Sequence, residues 1–175
     1  MTRIIAISDT HLVEEELPRA LVDLAKGADL LLHSGDFVSL KAYRALADLG
    51  RLEAVRGNAD HPQLWFLPER QIIDIKGVKI GLVHMASHAS GLLGAEMMAR
   101  EMDVQVLVFG HLHRPLVERG ERLLICPGSP TQPRMSAPSV AELDIEDGGI
   151  SGKIISLGGP TCNYLKYAQS LAERD

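Results

Sequence analysis

Along the first half of the chain, short apolar runs alternate with segments whose apolar residues recur every three or four positions. Residues 3–8 are nearly all apolar up to Asp9, the pattern of a strand buried on both faces. Residues 14–26 place Leu17, Leu21, Leu24 and Ala25 at helical spacing, with Pro18 suited to a first turn and Gly27 to a stop. Residues 29–34 predict a second buried strand, 41–49 a second helix ended by Gly50, and 52–56 a third strand. This β-α-β-α-β alternation implies a parallel sheet covered by helices.

The rhythm then changes. Residues 71–75 and 78–84 flank Lys76-Gly77 and read as a hairpin. Residues 94–101 predict a helix, 104–109 a buried strand and 122–126 another strand ending in Pro127-Gly128-Ser129. Residues 140–145 and 152–157 flank Asp147-Gly148-Gly149, a second hairpin. The second half is therefore expected to be β-rich, with mostly antiparallel connections. Gly158-Gly159-Pro160 closes a domain spanning 1–159. Residues 160–175 form a polar tail with Tyr164, Tyr167, Ala168 and Leu171 at helical spacing. Such a tail can dock on the body or on a partner chain, which leaves a homo-oligomer open.

Composition narrows the class. A chain of 175 residues suffices for one domain with a sizeable core. Its net charge of −5, without a Lys/Arg block, argues against non-specific affinity for nucleic acid or an anionic membrane. The two cysteines, Cys126 and Cys162, have no C-x-x-C spacing and read as reduced thiols. No apolar run approaches a membrane span, and strand-like sequence from Arg3 leaves no room for a signal peptide. The expected location is the cytoplasm.

The chemistry gathers just past the strand ends. Asp9 and His11 follow the first strand, Gly35-Asp36 the second, and Gly57-Asn58 the third. His84 ends the hairpin strand, and Gly110-His111-Leu112-His113 follows the run at 104–109. In open α/β sheets, ligands sit beyond the carboxyl ends of the strands. Seven metal-capable side chains thus converge: Asp9, His11, Asp36, Asn58, His84, His111 and His113. Two divalent ions ~3.5–4 Å apart repel by roughly 18 kcal/mol at an effective dielectric of about 20. A shared carboxylate and a shared hydroxide must offset that repulsion. The resulting centre of about +1 would attract phosphate and lower the pKa of bound water to about 7.

These motifs, in this order, resemble the calcineurin-like metallophosphoesterases, and among them the small bacterial and archaeal phosphodiesterase group. That family reads D-x-H, G-D, G-N-x-D, a lone His and G-H-x-H. Here the motifs are Asp9-Thr10-His11, Gly35-Asp36, Gly57-Asn58-Ala59-Asp60, His84 and Gly110-His111-Leu112-His113. The resemblance implies a four-layer α/β/β/α sandwich of two mixed sheets flanked by helices. It implies one ion held by Asp9, His11, Asp36 and His113 and another held by Asp36, Asn58, His84 and His111, with Asp36 bridging. Two divalent ions are implied, manganese foremost, with iron, zinc, nickel or cobalt as the other metals of the family.

There are departures. The phosphomonoesterase branch carries a His after the Asn as general acid; here it is Ala59. Without that acid, diesters or activated esters are favoured over ordinary monoesters. His61 lies two residues on, as a candidate substitute or a plain loop His. Asp60 is expected to orient the loop. Met85 stands where the family usually has Gly, and Leu12 replaces another usual Gly. His88 and Arg134 are candidate substrate contacts, each with a surface role as the alternative. Cys126 replaces the Asn of an N-P-G-S element and reads as core, as does His33.

The expected function is a metal-dependent phosphodiesterase acting on a small phosphate ester through a hydroxide bridging two ions. One alternative is a non-catalytic binding scaffold of the same fold, the role of a eukaryotic sorting-complex subunit. Others are a phosphomonoesterase or a nuclease; for the latter the chain is short and acidic.

Overall fold

The computed structural model describes residues 1–86, 92–146 and 148–158. His88, Cys162 and the 160–175 tail lie outside the described residues. In chain order the elements are β1 (Thr2–Ile7), α1 (Arg19–Ala25), β2 (Leu30–His33), α2 (Leu40–Ala47), β3 (Leu52–Ala54), β4 (Arg70–Ile75) and β5 (Val78–Val83). They continue with α3 (Leu92–Glu101), β6 (Val106–Phe109), β7 (Pro115–Arg119), β8 (Leu123–Pro127), β9 (Ser139–Glu146) and β10 (Gly149–Ser156). Among the described residues the strands form two five-stranded sheets, ordered β10-β9-β1-β2-β3 and β4-β5-β6-β8-β7.

Period-two alternation with both faces apolar explains the layering. Ile4 and Ala6 of β1 and Leu30 and Leu32 of β2 point into the space between the sheets. There they pack with Ile80, Leu82, Val106, Val108 and Ile125 of the other sheet. Ile5, Ile7 and Leu31 point the other way, against Leu21 and Ala25 of α1 and Ala42 and Leu46 of α2. On the far side, Ala95 and Ala99 of α3 cover Leu107, Phe109 and Leu124. The result is the expected helix–sheet–sheet–helix sandwich.

Each sheet contains three adjacent parallel strands: β1, β2 and the edge strand β3 in one, and the central β5, β6 and β8 in the other. In the second half the pairings are mostly antiparallel, as expected: β4 with β5, β7 with β8, and β9 with both β10 and β1. The parallel trio β5-β6-β8 is the part the sequence did not announce. The α3 crossover returns the chain parallel to β5, and β7, a strand unmarked in the sequence, lets β8 run parallel to β6. β7 is half-exposed at a sheet edge and ends in Glu118-Arg119, so no apolar alternation announced it.

The first helix is also shorter than predicted. It begins at Arg19 rather than Glu14, with Pro18 extended at the N-cap (ψ 131°). Proline disfavours helical backbone in the residue before it, so the apolar spacing could not extend back through Leu17. α2 starts where Ser39 Oγ accepts a hydrogen bond from the Ala42 N–H (3.1 Å). Among the described residues no helix is long and apolar enough to cross a membrane.

Candidate metal centre

Six parallel strands deliver their carboxyl ends to one rim. The loops there are laced by backbone hydrogen bonds: Asp9 N–H to Gly35 O (3.0 Å), His11 N–H to Asp36 O (3.0 Å) and Gly110 N–H to His84 O (2.9 Å). Such close passage requires glycine. A Cβ on Gly57 would overlap the Asp36 carboxylate, one on Gly110 would overlap the Ser8 hydroxyl, and one on Gly35 would press on Gly57 and His84. The rim is also strained. Asp9, His11, Asp36, His111 and His113 all have positive φ, between 40° and 72°. So does the β-branched Val38 (φ 77°), a genuine outlier. Such conformations persist only where surrounding contacts over-determine them.

The structure brings together all seven side chains singled out in the sequence. Asp36 Oδ2 lies 3.4 Å from His11 Nε2 and 3.3 Å from His84 Nε2. Asp9 Oδ1 lies 3.3 Å from His113 Nε2 and 3.9 Å from His11 Nε2. Asn58 Oδ1 sits 3.0 Å from His84 Nε2 and 3.1 Å from His111 Nδ1. Two overlapping clusters with metal-ligand spacing result, Asp9–His11–His113 and Asp9–Asp36–His84.

The donor set fits cations. His84 Nδ1–H donates to Ser34 O (2.7 Å) and His113 Nδ1–H to Gln132 O (2.7 Å). A carbonyl only accepts, so both Nε2 lone pairs are turned inward, the orientation metal-ligating histidines need. His84 Nε2 nevertheless faces oxygen acceptors. His11 Nε2 is buried without a hydrogen-bond partner between two carboxylates. The site therefore holds more lone pairs than protons, and a positive charge resolves the excess.

Titration shifts agree. The facing carboxylates of Asp36 and then Asp9 raise His11 to about 9, despite burial. Burial opposes charge on His84, but Asp36 outweighs it and the net shift is upward. Burial would likewise raise Asp36 and Asp9, yet the facing imidazoles hold both below the usual carboxylate range. His111 is lowered by burial and by the charges of His84 and Arg134.

Supporting groups fix the loops. Asp60 is buried and accepts hydrogen bonds from Gly57 N–H (2.7 Å), Val38 N–H (2.8 Å) and Asp36 N–H (3.2 Å), tying two ligand loops together. Ser8 donates to Asp9 Oδ2 (2.6 Å), and Ser129 donates to Asp9 O (2.7 Å). His33 is a core residue stacked on Phe37. Its Nδ1 accepts from Gly35 N–H, leaving Nε2–H for Thr10 Oγ1; burial pushes it down to about 3. Cys126 is buried and raised to about 12, an inert thiol.

The candidate substrate contacts divide. The Arg134 backbone N–H donates to His113 O (2.9 Å), and its charge acts on His111. His61 instead caps the 3-10 turn Pro62–Leu64 through Nδ1 and lines a separate groove with Lys41 and Arg44. His88 lies outside the described residues. Sequence reasoning missed Ser8, and it missed Ser34 and Gln132, whose backbone carbonyls set the two imidazoles. A carbonyl contact leaves no side-chain signature; only Ser8, beside Asp9, offered one.

Known proteins resemble the chain as follows. The model of the calcineurin-like phosphoesterase superfamily domain matches residues 2–148. A protein of Methanocaldococcus jannaschii named "Probable metallophosphoesterase" is 38% identical over 146 residues, 81% of this chain and 74% of that one. Among solved structures, zinc-complexed Vps29 from Entamoeba histolytica superposes with a TM-score of 0.72 at 23% identity, covering 90% of this chain and 100% of that one. A structure described as a novel archaeal phosphodiesterase superposes with a TM-score of 0.69 at 21% identity, over 88% of this chain and 100% of that one.

Proposed function

Because the chain belongs to the calcineurin-like phosphoesterase superfamily, we propose that it hydrolyses phosphate esters, and diesters foremost, at a centre of two divalent ions. The observation that carries this reading is the excess of acceptors at the rim, with His11 Nε2 buried and unpartnered between Asp9 and Asp36. Asp9, His11, Asp36 and His113 would hold one ion; Asp36, Asn58, His84 and His111 would hold the other. When bound, such ions supply a water acidic enough to attack phosphorus at neutral pH and positive charge for the phosphoryl oxygens.

The chain's own residues do the rest. Asp36 presents one oxygen to imidazoles from both halves of the site, which would let its carboxylate be shared between two ions. His84 and His113 are locked in one tautomer by backbone carbonyls, so neither must reorganise. Asp60 holds the Asp36 and Asn58 loops in register. Arg134, exposed near His111, would donate hydrogen bonds to a phosphoryl oxygen. Ala59 offers no proton to a departing alkoxide, which favours esters whose alcohol leaves unaided. The substrate we favour is a small cytoplasmic ester. The proposed catalytic domain is residues 1–159, supported by the family match over 2–148.

The test is turnover of bis(4-nitrophenyl) phosphate by manganese-loaded protein. Hydrolysis lost on chelation is expected. A binding scaffold of the same fold predicts metal-loaded protein with no turnover under any transition metal, and that result would overturn the assignment.

A further inference from the structure

Two recesses of opposite character flank the candidate centre. One, of about 130 Å³, is walled by Met85, Leu92, Ala95, Phe109, Leu112 and Leu116. Gly110 and His111 also line it, so it adjoins the place where a phosphoryl group would sit; Arg114 is its charged member among the described residues. The other, of about 270 Å³, is lined by Arg56, Asn58, Glu69 and His84, with Arg56 paired to Glu69 (2.5 Å). Met85 belongs to both and forms the partition.

We infer that the apolar pocket beside His111 receives one ester arm of the substrate, a group about the size of a benzene ring, so that diesters with a small aryl or branched alkyl arm are preferred. The inference rests on the phosphoesterase reading above and names its substrate class. Size supports it: an apolar cavity of ~150 Å³ takes up benzene. Topology supports it too. A monoester has one arm, but two unlike recesses meeting at one phosphoryl position suit two unlike arms. The partition is a side chain that glycine at position 85 would not supply, so Met85 is the specificity-determining residue.

The experiment measures affinities of phenylphosphonate, methylphosphonate and inorganic phosphate for manganese-loaded protein by calorimetry. A parallel measurement follows methyl signals of Met85 and Leu116 by NMR in a diamagnetic zinc- or magnesium-loaded sample. Phenylphosphonate is expected to bind roughly tenfold to a hundredfold more tightly than methylphosphonate, the range for filling an apolar pocket, and to shift both methyl signals. Met85→Gly and Leu116→Asn should each bring that ratio towards one; Leu116 sits half-exposed on an edge strand and Met85 at a strand end, so either variant suffices if the other fails to fold. Equal affinities, or a ratio that survives both substitutions, would overturn the pocket assignment while leaving the phosphoesterase reading intact. Failure of all three anions to bind would overturn that reading and the pocket assignment with it.

Discussion

The space between the two sheets and the rim at their carboxyl edge obey opposite rules. Between the sheets, Ile4, Leu32, Ile80, Leu82 and Val108 are fully buried, apolar and on ordinary strand backbone. At the rim, buried groups are polar, with Asp9, Asp36, His84 and His113 among them, and five of the seven clustered residues have positive φ. Burial alone explains the first region, because every ångström of apolar surface removed from water favours the fold. It cannot explain the second, where desolvated carboxylates and left-handed backbone both cost free energy. The difference teaches that stability is made between the sheets and consumed at the rim, where the gain we propose is a ligand set held ready.

The sharpest way to break this contrast is Asp36→Asn. Removing the proposed bridging carboxylate is expected to lower hydrolysis of bis(4-nitrophenyl) phosphate beyond the roughly tenfold to hundredfold cost of losing a mere supporting group, with the circular dichroism spectrum unchanged. Leu82→Ala should do the reverse, destabilising the fold by about 2–5 kcal/mol in urea unfolding while the folded fraction keeps its metal affinity. Gly57→Ala comes next. Its methyl would press on the Asp36 carboxylate, and manganese affinity should fall about tenfold to a hundredfold by calorimetry.

The smallest effect is a pH dependence. In metal-free protein His11 is raised from 6.5 to about 9. Its contribution to stability is therefore complete below pH 6.5 and lost as pH climbs through about 9. Asp36 is held low, so its contribution is present above the ordinary carboxylate range and lost only on acidification. Metal-free protein should thus melt at lower temperature at pH 9 than at pH 6.5. Manganese must displace the His11 proton, so its affinity should rise about tenfold per pH unit across the same window. A flat profile would detach His11 from the ligand set.

The sequence made the two regions unequally legible. Alternation in β1 and β2 marked both buried faces, and a side chain able to bind metal announces itself at a strand end, as Asp36 and His113 do. What stayed hidden was carried by backbone or by edges. The carbonyls of Ser34 and Gln132 set two imidazoles without any residue preference. β7 lies at an edge where burial demands little pattern. Left-handed backbone at Asp9 and His111 arises from the lacing of loops distant in the chain. The helix before β2 was overextended because apolar spacing ran on past a proline that backbone sterics would not admit.

The central claim is that the rim's surplus of acceptors exists to hold a pair of cations. Calorimetric titration of metal-stripped protein with Mn²⁺ at pH 8, with elemental analysis of the product, tests it most directly. Two ions per chain are expected, with uptake reduced by Asp36→Asn. No uptake, or binding indifferent to Asp36, would contradict it.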